Sequence, residues 1–271
     1  MQVIGICRFS YPGDGGFQVE HATLEDRITH LYAPARLEER FATFETMMLP
    51  PLRAQTDPDF TLVVVIGDSL PDAYRNRLEA VVADMPQAVI LSRPPGPHRK
   101  VMQAAINSVR KDTGSPCLQF RMDDDDAVAV DFVARLRETA EDLGAFAARE
   151  RHIAIDFNQG YIARPSAKDL AIAPTQSPYF TAALALMIRH DLDLSVMNFS
   201  HIKLAQKMPT VTLTGEDMLI RGVNDHNDSR MKRRVRGPRL TPLDDKMRRH
   251  IRNRFAIEES AVADAFAALP G

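Results

Sequence analysis

The sequence predicts an α/β fold in which a mostly parallel sheet is flanked by helices. Short apolar runs of strand length recur along the chain, and helical patterns lie between several of them, an alternation typical of parallel sheets. The chain has 271 residues, of which 45% are hydrophobic, and contains no low-complexity tract. A chain of this length and composition can bury a substantial core.

The strands are predicted from runs bounded by turn-forming residues. The clearest runs are residues 2–7, 61–66, 88–91, 116–120 and 153–156, followed by 161–164 and 180–188. A connection rich in proline and serine, 165–178, separates the last two runs. The first run is too short for a signal peptide, so we interpret it as the first strand.

The helices are predicted from apolar residues that recur at three- and four-residue steps. In residues 36–52 such a stripe contains Leu37, Phe41, Phe44 and Met48, and the Pro50-Pro51 pair is expected to end the helix. A second helix is expected after the turn at 67–71. Further helices are predicted at 100–111 and 130–143, and terminal helices within 240–268. We expect one domain over 1–271, with a nucleotide-sugar and metal half (1–150), an acceptor half (151–240) and C-terminal helices (241–271).

Cysteine content and hydropathy predict a cytoplasmic protein. Cys7 and Cys117 lie far apart in apolar runs and are expected to be reduced core residues. The longest unbroken apolar run, 182–188, is far too short to span a membrane. We therefore expect a protein that either stays in the cytoplasm or touches the inner face of the membrane.

Positive charge is concentrated near the C-terminus. Residues 230–254 contain 11 Lys and Arg against two Asp, a balance of +9 in a chain whose net charge is −2. Such a segment could bind phosphates or a membrane surface, or it could be a solvated helix face. Nucleic acid is not an expected partner, because the chain as a whole is not basic and the segment lacks interleaved aromatic residues.

Four consecutive carboxylates, Asp123 to Asp126, follow the run at 116–120. The carboxyl end of a strand is where open α/β sheets place their ligands. Adjacent carboxylates repel one another and raise each other's pKa unless a cation neutralises them, and a hard divalent metal is the natural cation. The alternative is an acidic loop in which Asp126 caps a helix beginning near Ala127.

Several segments together resemble one family. They are 8–10 (Arg-Phe-Ser), 40–45, 49–57, 59–60, 67–71, 121–128 and 224–229. In this order they are similar to the rhamnosyl transferases of bacteria, a branch of the GT-A glycosyltransferases. The resemblance implies a GT-A-like fold and transfer of a sugar, rhamnose by the family's name, from a nucleotide-sugar to a saccharide or lipid-linked acceptor. It also implies dependence on Mn²⁺ or Mg²⁺ and inversion at the anomeric carbon.

The resemblance also implies site residues. The metal would be held by Asp123, Asp125 and His226, and Asp217 would remove the proton of the acceptor hydroxyl. The candidate nucleotide-sugar contacts are Arg8, Asp68, Lys100, Arg121, Asp123 and Asp124. Each has a plainer interpretation: Asp68 could form an Asx-turn, 214–217 is also a Thr-x-x-Asp capping box before a helix, and His226 could be structural.

Other functional classes remain open. A metal-dependent nucleotidyltransferase would also use clustered acids, but it would usually carry a lysine in the glycine-rich segment 12–16, which has none. A phosphohydrolase of the aspartyl-phosphate type would place its acids on the first strand, which here ends in Arg8. A catalytically inactive nucleotide-binding or interaction protein would bind nucleotide without turnover.

Overall fold

The computed structural model describes residues 1–15, 21–223 and 238–270. The strands in these ranges are β1 (Gln2–Arg8), β2 (Thr61–Gly67), β3 (Ala88–Arg93), β4 (Cys117–Met122), β5 (Ala127–Val128), β6 (His152–Phe157), β7 (Gln159–Pro165), β8 (Leu170–Gln176), β9 (Leu184–Ile188), β10 (Thr210–Leu213), β11 (Leu219–Gly222) and β12 (Thr241–Pro242). The helices are α1 (Leu24–Leu31), α2 (Pro34–Thr43), α3 (Leu49–Arg53), α4 (Asp72–Val82), α5 (His98–Val109), α6 (Phe132–Asp142), α7 (Gly144–Ala147), α8 (Asp245–Phe255) and α9 (Glu259–Ala267).

The larger sheet has the order β3-β2-β1-β4-β9-β6-β10. Every neighbouring pair is parallel except the two that involve β9. The central residues of β1 and β2 are buried, which explains why these strands have continuous apolar sequences rather than alternating ones. The predicted α/β fold with a mostly parallel sheet flanked by helices is therefore confirmed.

A second sheet has the order β12-β8-β7-β11-β5. Its strand β5 follows the four carboxylates directly and pairs antiparallel with β11. The carboxylates therefore connect β4 of the larger sheet with β5 of the smaller one. This position surrounds them with side chains from both sheets.

The Pro50-Pro51 pair does not end the helix as expected. Residues Phe44–Met48 form a π-helical turn between α2 and α3, in which the N–H of Leu49 bonds to the carbonyl of Phe44. The prolines then occupy the first turn of α3, where no backbone N–H is required. The helical segment consequently continues to Arg53.

Two strands occupy positions where the sequence predicted other structure. The connection at 165–178 contains β8, whose Pro174 is tolerated because β12 pairs only with Ala171 and Ile172 on that side. The helix expected after the Thr-x-x-Asp segment is instead β11. Pairing on both sides, with β5 and β7, overrides the local capping signal.

The helix predicted at 130–143 is present as α6, which begins at Phe132; the alternative start near Ala127 is wrong, so Asp126 does not cap this helix. Ala127 and Val128 form β5, and hydrogen bonding to β11 fixes them in an extended conformation. The terminal helices predicted within 240–268 are present as α8 and α9. None of the helices in the described ranges combines the length and hydropathy needed for a membrane span.

Candidate metal centre

The acidic residues occupy a tight turn at the carboxyl end of β4. The N–H of Asp126 donates to the carbonyl of Asp123 at 3.2 Å, and the N–H of Asp123 donates to the Asp126 carboxylate at 3.3 Å. Asp123 is exposed, whereas Asp124, Asp125 and Asp126 are buried. The turn thus directs neighbouring carboxylates into different surroundings.

Three of the four carboxylates converge. Asp123, Asp125 and Asp126 each offer an oxygen, and these oxygens all lie within 4.8 Å of one another. An oxygen-only donor set is what Mg²⁺ and Mn²⁺ prefer. The residues therefore fit a divalent metal. This set includes Asp126, for which the sequence interpretation had offered only a helix-capping role.

The ionisation of these groups reflects their burial. Burial raises the pKa of Asp126 to about 7; the charge of Asp123 adds to this effect and that of Arg221 opposes it. Burial and then the neighbouring Asp126 hold the pKa of Asp125 well above its ordinary value. Partial removal from water by the surrounding protein also works against ionisation of Asp123, but nearby arginines outweigh this effect and lower the pKa of Asp123. A bound cation would relieve the repulsion that remains.

Asp124 is directed away from the converging carboxylates. Its Oδ1 accepts a hydrogen bond of 2.6 Å from Nη1 of Arg40, and both side chains are buried. The same nitrogen lies 3.9 Å from an oxygen of Asp125. Burial raises the pKa of Asp124, and Arg40 counteracts this rise. Asp124 was predicted to contact the nucleotide, but in the structure it forms a buried ion pair with α2.

Arginines from three strands and from α2 act on the same cluster. The positive charges that lower the pKa of Asp123 belong to Arg8, Arg221, Arg121 and Arg40. Arg8 ends β1, and its neighbour Cys7 is paired with Met122 at the end of β4. Arg8 and Arg121 were predicted as site residues, and the structure brings both to the acidic turn.

Arg221 is a site residue that the sequence interpretation missed. It lies on β11, and the charge of Asp126 is the main cause that raises its pKa. Its Nη1 donates to Oγ1 of Thr181 at 3.2 Å. Because the sequence around Arg221 was interpreted as the start of a helix, no signal placed it beside the acids; recognising β11 as a strand paired with β5 would have done so.

Gly222 allows β11 to approach the acidic turn closely. Its N–H donates to Oδ1 of Asp126 at 3.2 Å. A Cβ atom at this position would lie 2.2 Å from the backbone oxygen of Asp125, closer than any side chain can be accommodated. Glycine is therefore required here by the close approach of two backbones.

The structure places the remaining nucleotide candidates at the same edge of the larger sheet. Asp68 follows β2 and is exposed; its N–H donates to the carbonyl of Arg93. Lys100 is exposed in the first turn of α5. His98 begins this helix and is 9% exposed, and its Nε2 has no hydrogen-bond partner among the described residues. Burial, together with the charges of Arg8 and Arg121, lowers the pKa of His98 to about 3, so the ring is neutral at pH 7.

Asp217 is not brought to the acidic turn. It lies five residues before Gly222 on the chain that forms β11, which corresponds to about 16 Å of extended backbone. Its carboxylate already accepts hydrogen bonds from Gln159 (3.0 Å) and Tyr161 (2.7 Å), and it lies 2.9 Å from Nε2 of His250. These contacts give Asp217 a role in joining β7, β11 and α8.

Two predicted features lie wholly or partly outside the described residues. His226, the predicted third metal ligand, is outside them, and so is the first part of the basic segment 230–254. Within α8, Arg248 pairs with Asp245 and Glu259, Arg252 pairs with Glu258 and Arg254 pairs with Asp131. Much of the positive charge of this helix is therefore balanced by the protein itself.

Comparison with solved structures finds two forms of S. aureus TarS 1-349 with similar coverage. The complex with UDP has 11% identity and a TM-score of 0.45, covering 82% of this chain and 61% of that one. The complex with UDP-GlcNAc has 12% identity and a TM-score of 0.44, and the match covers 84% of this chain and 60% of that one. The 4-diphosphocytidyl-2C-methyl-D-erythritolsynthase from Anaerococcus prevotii has 8% identity and a TM-score of 0.36, covering 79% and 89%. The chain thus spans about three fifths of the TarS fragment.

Comparison of the sequence with known families is more direct. No curated protein matches this chain significantly. The profile of the family described as "Putative rhamnosyl transferase" matches residues 2–236. This match covers most of the chain and includes the acidic turn, Arg8 and Arg221. The chain therefore belongs to this transferase family.

Proposed function

We propose that this protein transfers a glycosyl group from a nucleoside diphosphate sugar to an acceptor hydroxyl, with a divalent metal held by Asp123, Asp125 and Asp126. The observation that carries the proposal is the convergence of these carboxylates within 4.8 Å at the carboxyl end of β4. Family membership supports the same reaction class. The family description favours rhamnose as the sugar, and a saccharide or a lipid-linked saccharide is the acceptor that we propose.

The arginines supply charge where the leaving group would form. The charges of Arg8, Arg121 and Arg221 act on the exposed Asp123, and guanidinium groups bind phosphate oxygens well. When bound, Mn²⁺ or Mg²⁺ would neutralise negative charge on the departing nucleoside diphosphate. Arg40 stays in its buried pair with Asp124 and fixes the turn. The proposed diphosphate ligands, Arg8, Arg121 and Arg221, are thus distinct from Arg40, which stabilises the acidic turn.

We propose a single displacement with inversion. The acceptor oxygen forms a bond to the anomeric carbon while the bond from that carbon to the diphosphate breaks, and the electron pair leaves with the diphosphate. The proton of the acceptor hydroxyl must pass to a base on the opposite side of the sugar. The sequence assigned this step to Asp217, but its distance from the acidic turn and its three polar partners do not support that assignment.

Binding calorimetry with UDP, GDP, dTDP and CDP, with and without Mn²⁺, tests the proposal. We expect one nucleotide to bind in a metal-dependent way to the wild type and to lose this dependence in Asp125→Asn. Asp112→Asn is the matched control, because this exposed acid lies before β4, at the opposite end of the strand. Absence of nucleotide binding with Mn²⁺ present would refute the proposal.

Hydrolysis of the corresponding nucleotide-sugar separates a transferase from an inactive relative. We expect slow, metal-dependent release of sugar in water, because water can replace the acceptor hydroxyl. Nucleotide binding without any release of sugar would instead support a binding protein that keeps the fold.

A further inference from the structure

Tyr179 has a strained backbone near the acidic turn. Its φ is 65°, a left-handed conformation that is rare for a bulky side chain. Its N–H donates to Oδ1 of Asp156 at 3.0 Å, and Asp156 is fully buried. The other oxygen of Asp156 accepts from Oγ1 of Thr212 at 3.2 Å. Strain of this kind persists only where the surroundings enforce it and is concentrated at functional sites.

The carbonyl of Tyr179 orients His201. Nδ1 of His201 lies 2.9 Å from this oxygen, at the start of the 3-10 segment His201–Gln206. A carbonyl can only accept a hydrogen bond, so Nδ1 must carry the proton of the neutral ring. The lone pair is then on Nε2, which has no hydrogen-bond partner in the described part of the chain. A neutral histidine with one nitrogen tethered and the other available is arranged as a general base.

The segment whose Tyr179 carbonyl orients His201 also contacts the proposed site. Residues 179–181 lead into β9, which pairs antiparallel with β4 immediately before the acidic turn. Thr181 accepts the hydrogen bond from Arg221, and the guanidinium of Arg221 lies 5.9 Å from the ring centre of Phe180. His201 and Arg221 therefore both contact one short segment, 179–181.

The charges facing His201 belong to the same site. Burial lowers the pKa of His201, and the charges of Arg121 and Arg221 lower it further; the hydrogen bond to Tyr179 and the charge of Asp123 oppose this. The net effect is a pKa below the ordinary histidine value of 6.5. The ring is consequently neutral, and able to accept a proton, at pH 7.

We propose that Nε2 of His201 accepts the proton of the acceptor hydroxyl during sugar transfer, an inference that rests on the function proposed above. As the acceptor oxygen bonds to the anomeric carbon, its proton moves to Nε2 and the electron pair of the breaking bond leaves with the diphosphate. The resulting imidazolium then returns the proton to solvent. Asp156 and Tyr179 are positioning residues for this base.

His201→Asn is the informative variant. Its side-chain amide can still donate to the Tyr179 carbonyl, but it cannot accept the proton. We expect kcat for nucleotide-sugar hydrolysis to fall by about a hundredfold or more, as is typical when a general base is removed. Metal-dependent nucleotide binding should be unchanged. At saturating Mn²⁺ and donor, where the acidic turn stays ionised, kcat of the wild type should show a limb that falls below pH 6.5, and the variant should lack it.

Sodium azide provides a test that a structural role would not satisfy. Azide is an anion, so it can attack the anomeric carbon without giving up a proton and form a glycosyl azide. We expect azide to restore donor consumption in His201→Asn and to form this product. The matched control is His190→Asn, because His190 is exposed beyond the opposite end of β9 and should leave turnover unchanged.

The outcomes separate the two proposals. A wild-type protein that neither binds nucleotide with metal nor hydrolyses the donor would refute the proposed function itself. A wild-type protein that turns over, with His201→Asn equally active or not restored by azide, would refute only the assignment of His201.

Discussion

The buried pair between Arg40 and Asp124 should be a main source of stability for the acidic turn. The two side chains are only 7% and 6% exposed, and their closest atoms are 2.6 Å apart. Replacing Arg40 with Met keeps most of the side-chain volume but leaves the Asp124 carboxylate buried beside Asp125 without its cation. Breaking such a pair from one side typically costs about 3–5 kcal/mol.

Urea unfolding of the wild type and Arg40→Met measures this cost. We expect the free energy of unfolding to fall by about 3–5 kcal/mol at pH 7. For a chain of this length that corresponds to a fall in Tm of roughly 6–15 °C. The loss should be smaller at pH 4, because Asp124, whose pKa is already raised by burial, can then be protonated.

A double-mutant cycle shows whether the pair causes the effect. In the Asp124→Asn background the buried charge is gone, so Arg40→Met should cost clearly less than it does in the wild type. Arg53→Met is the control, because Arg53 pairs with Asp84 at the surface, where the side chains are 34% and 66% exposed. The control should cost about 1 kcal/mol or less. Equal losses for Arg40→Met in both backgrounds would refute the reasoning.

Three further perturbations test other parts of the structure. Gly222→Ala should lower the free energy of unfolding by about 1–3 kcal/mol and weaken metal-dependent nucleotide binding, because the added Cβ would meet the backbone of Asp125. Urea unfolding measures the first effect and calorimetry the second. Unchanged values would contradict the close approach of the two backbones. Asp217→Asn should lower Tm, because three polar partners depend on the carboxylate, while donor hydrolysis stays within about threefold of the wild-type rate. Loss of turnover with an unchanged Tm would instead support Asp217 as the catalytic base. Burial raises the pKa of Asp156, so its protonated form stabilises the fold at low pH and this contribution is lost as the pH rises above about 4. Between pH 4 and 7 the unfolding free energy of Asp156→Asn should therefore decline less than that of the wild type. Parallel pH profiles for the two proteins would exclude this titration.

The central strands of the larger sheet could be predicted because they are buried on both faces. Residues in β1 and β2 form continuous apolar runs, and such runs are recognisable without knowing their partners. The strands β8 and β11 were missed because Pro174 and the capping box near Thr214 give local signals that long-range pairing overrides. Local sequence shows burial well, whereas it shows pairing between distant segments poorly.

The same limit applies to the site. The acidic run was apparent because its own repulsion requires a partner, and Arg8 and Arg121 were identified because they lie at strand ends or in the motif itself. Arg40 and Arg221 could not be identified from the sequence, since 81 residues lie between Arg40 and Met122 and 99 lie between Arg121 and Arg221. Only the packing of α2 and β11 against the turn brings these cations to it.

The charge balance around the turn indicates what it is suited to bind. Four arginines act on Asp123, and the turn itself contributes four carboxylates, so the formal charges of these groups cancel. A divalent metal alone would leave this partly buried region with an excess of positive charge, which is costly in a medium of low dielectric constant. A metal accompanied by a nucleotide-sugar, whose diphosphate carries two negative charges, would restore neutrality. We therefore expect Mn²⁺ to bind weakly by itself and much more tightly when the nucleotide is present, and equal affinities in calorimetry would show that the arginines do not face the diphosphate.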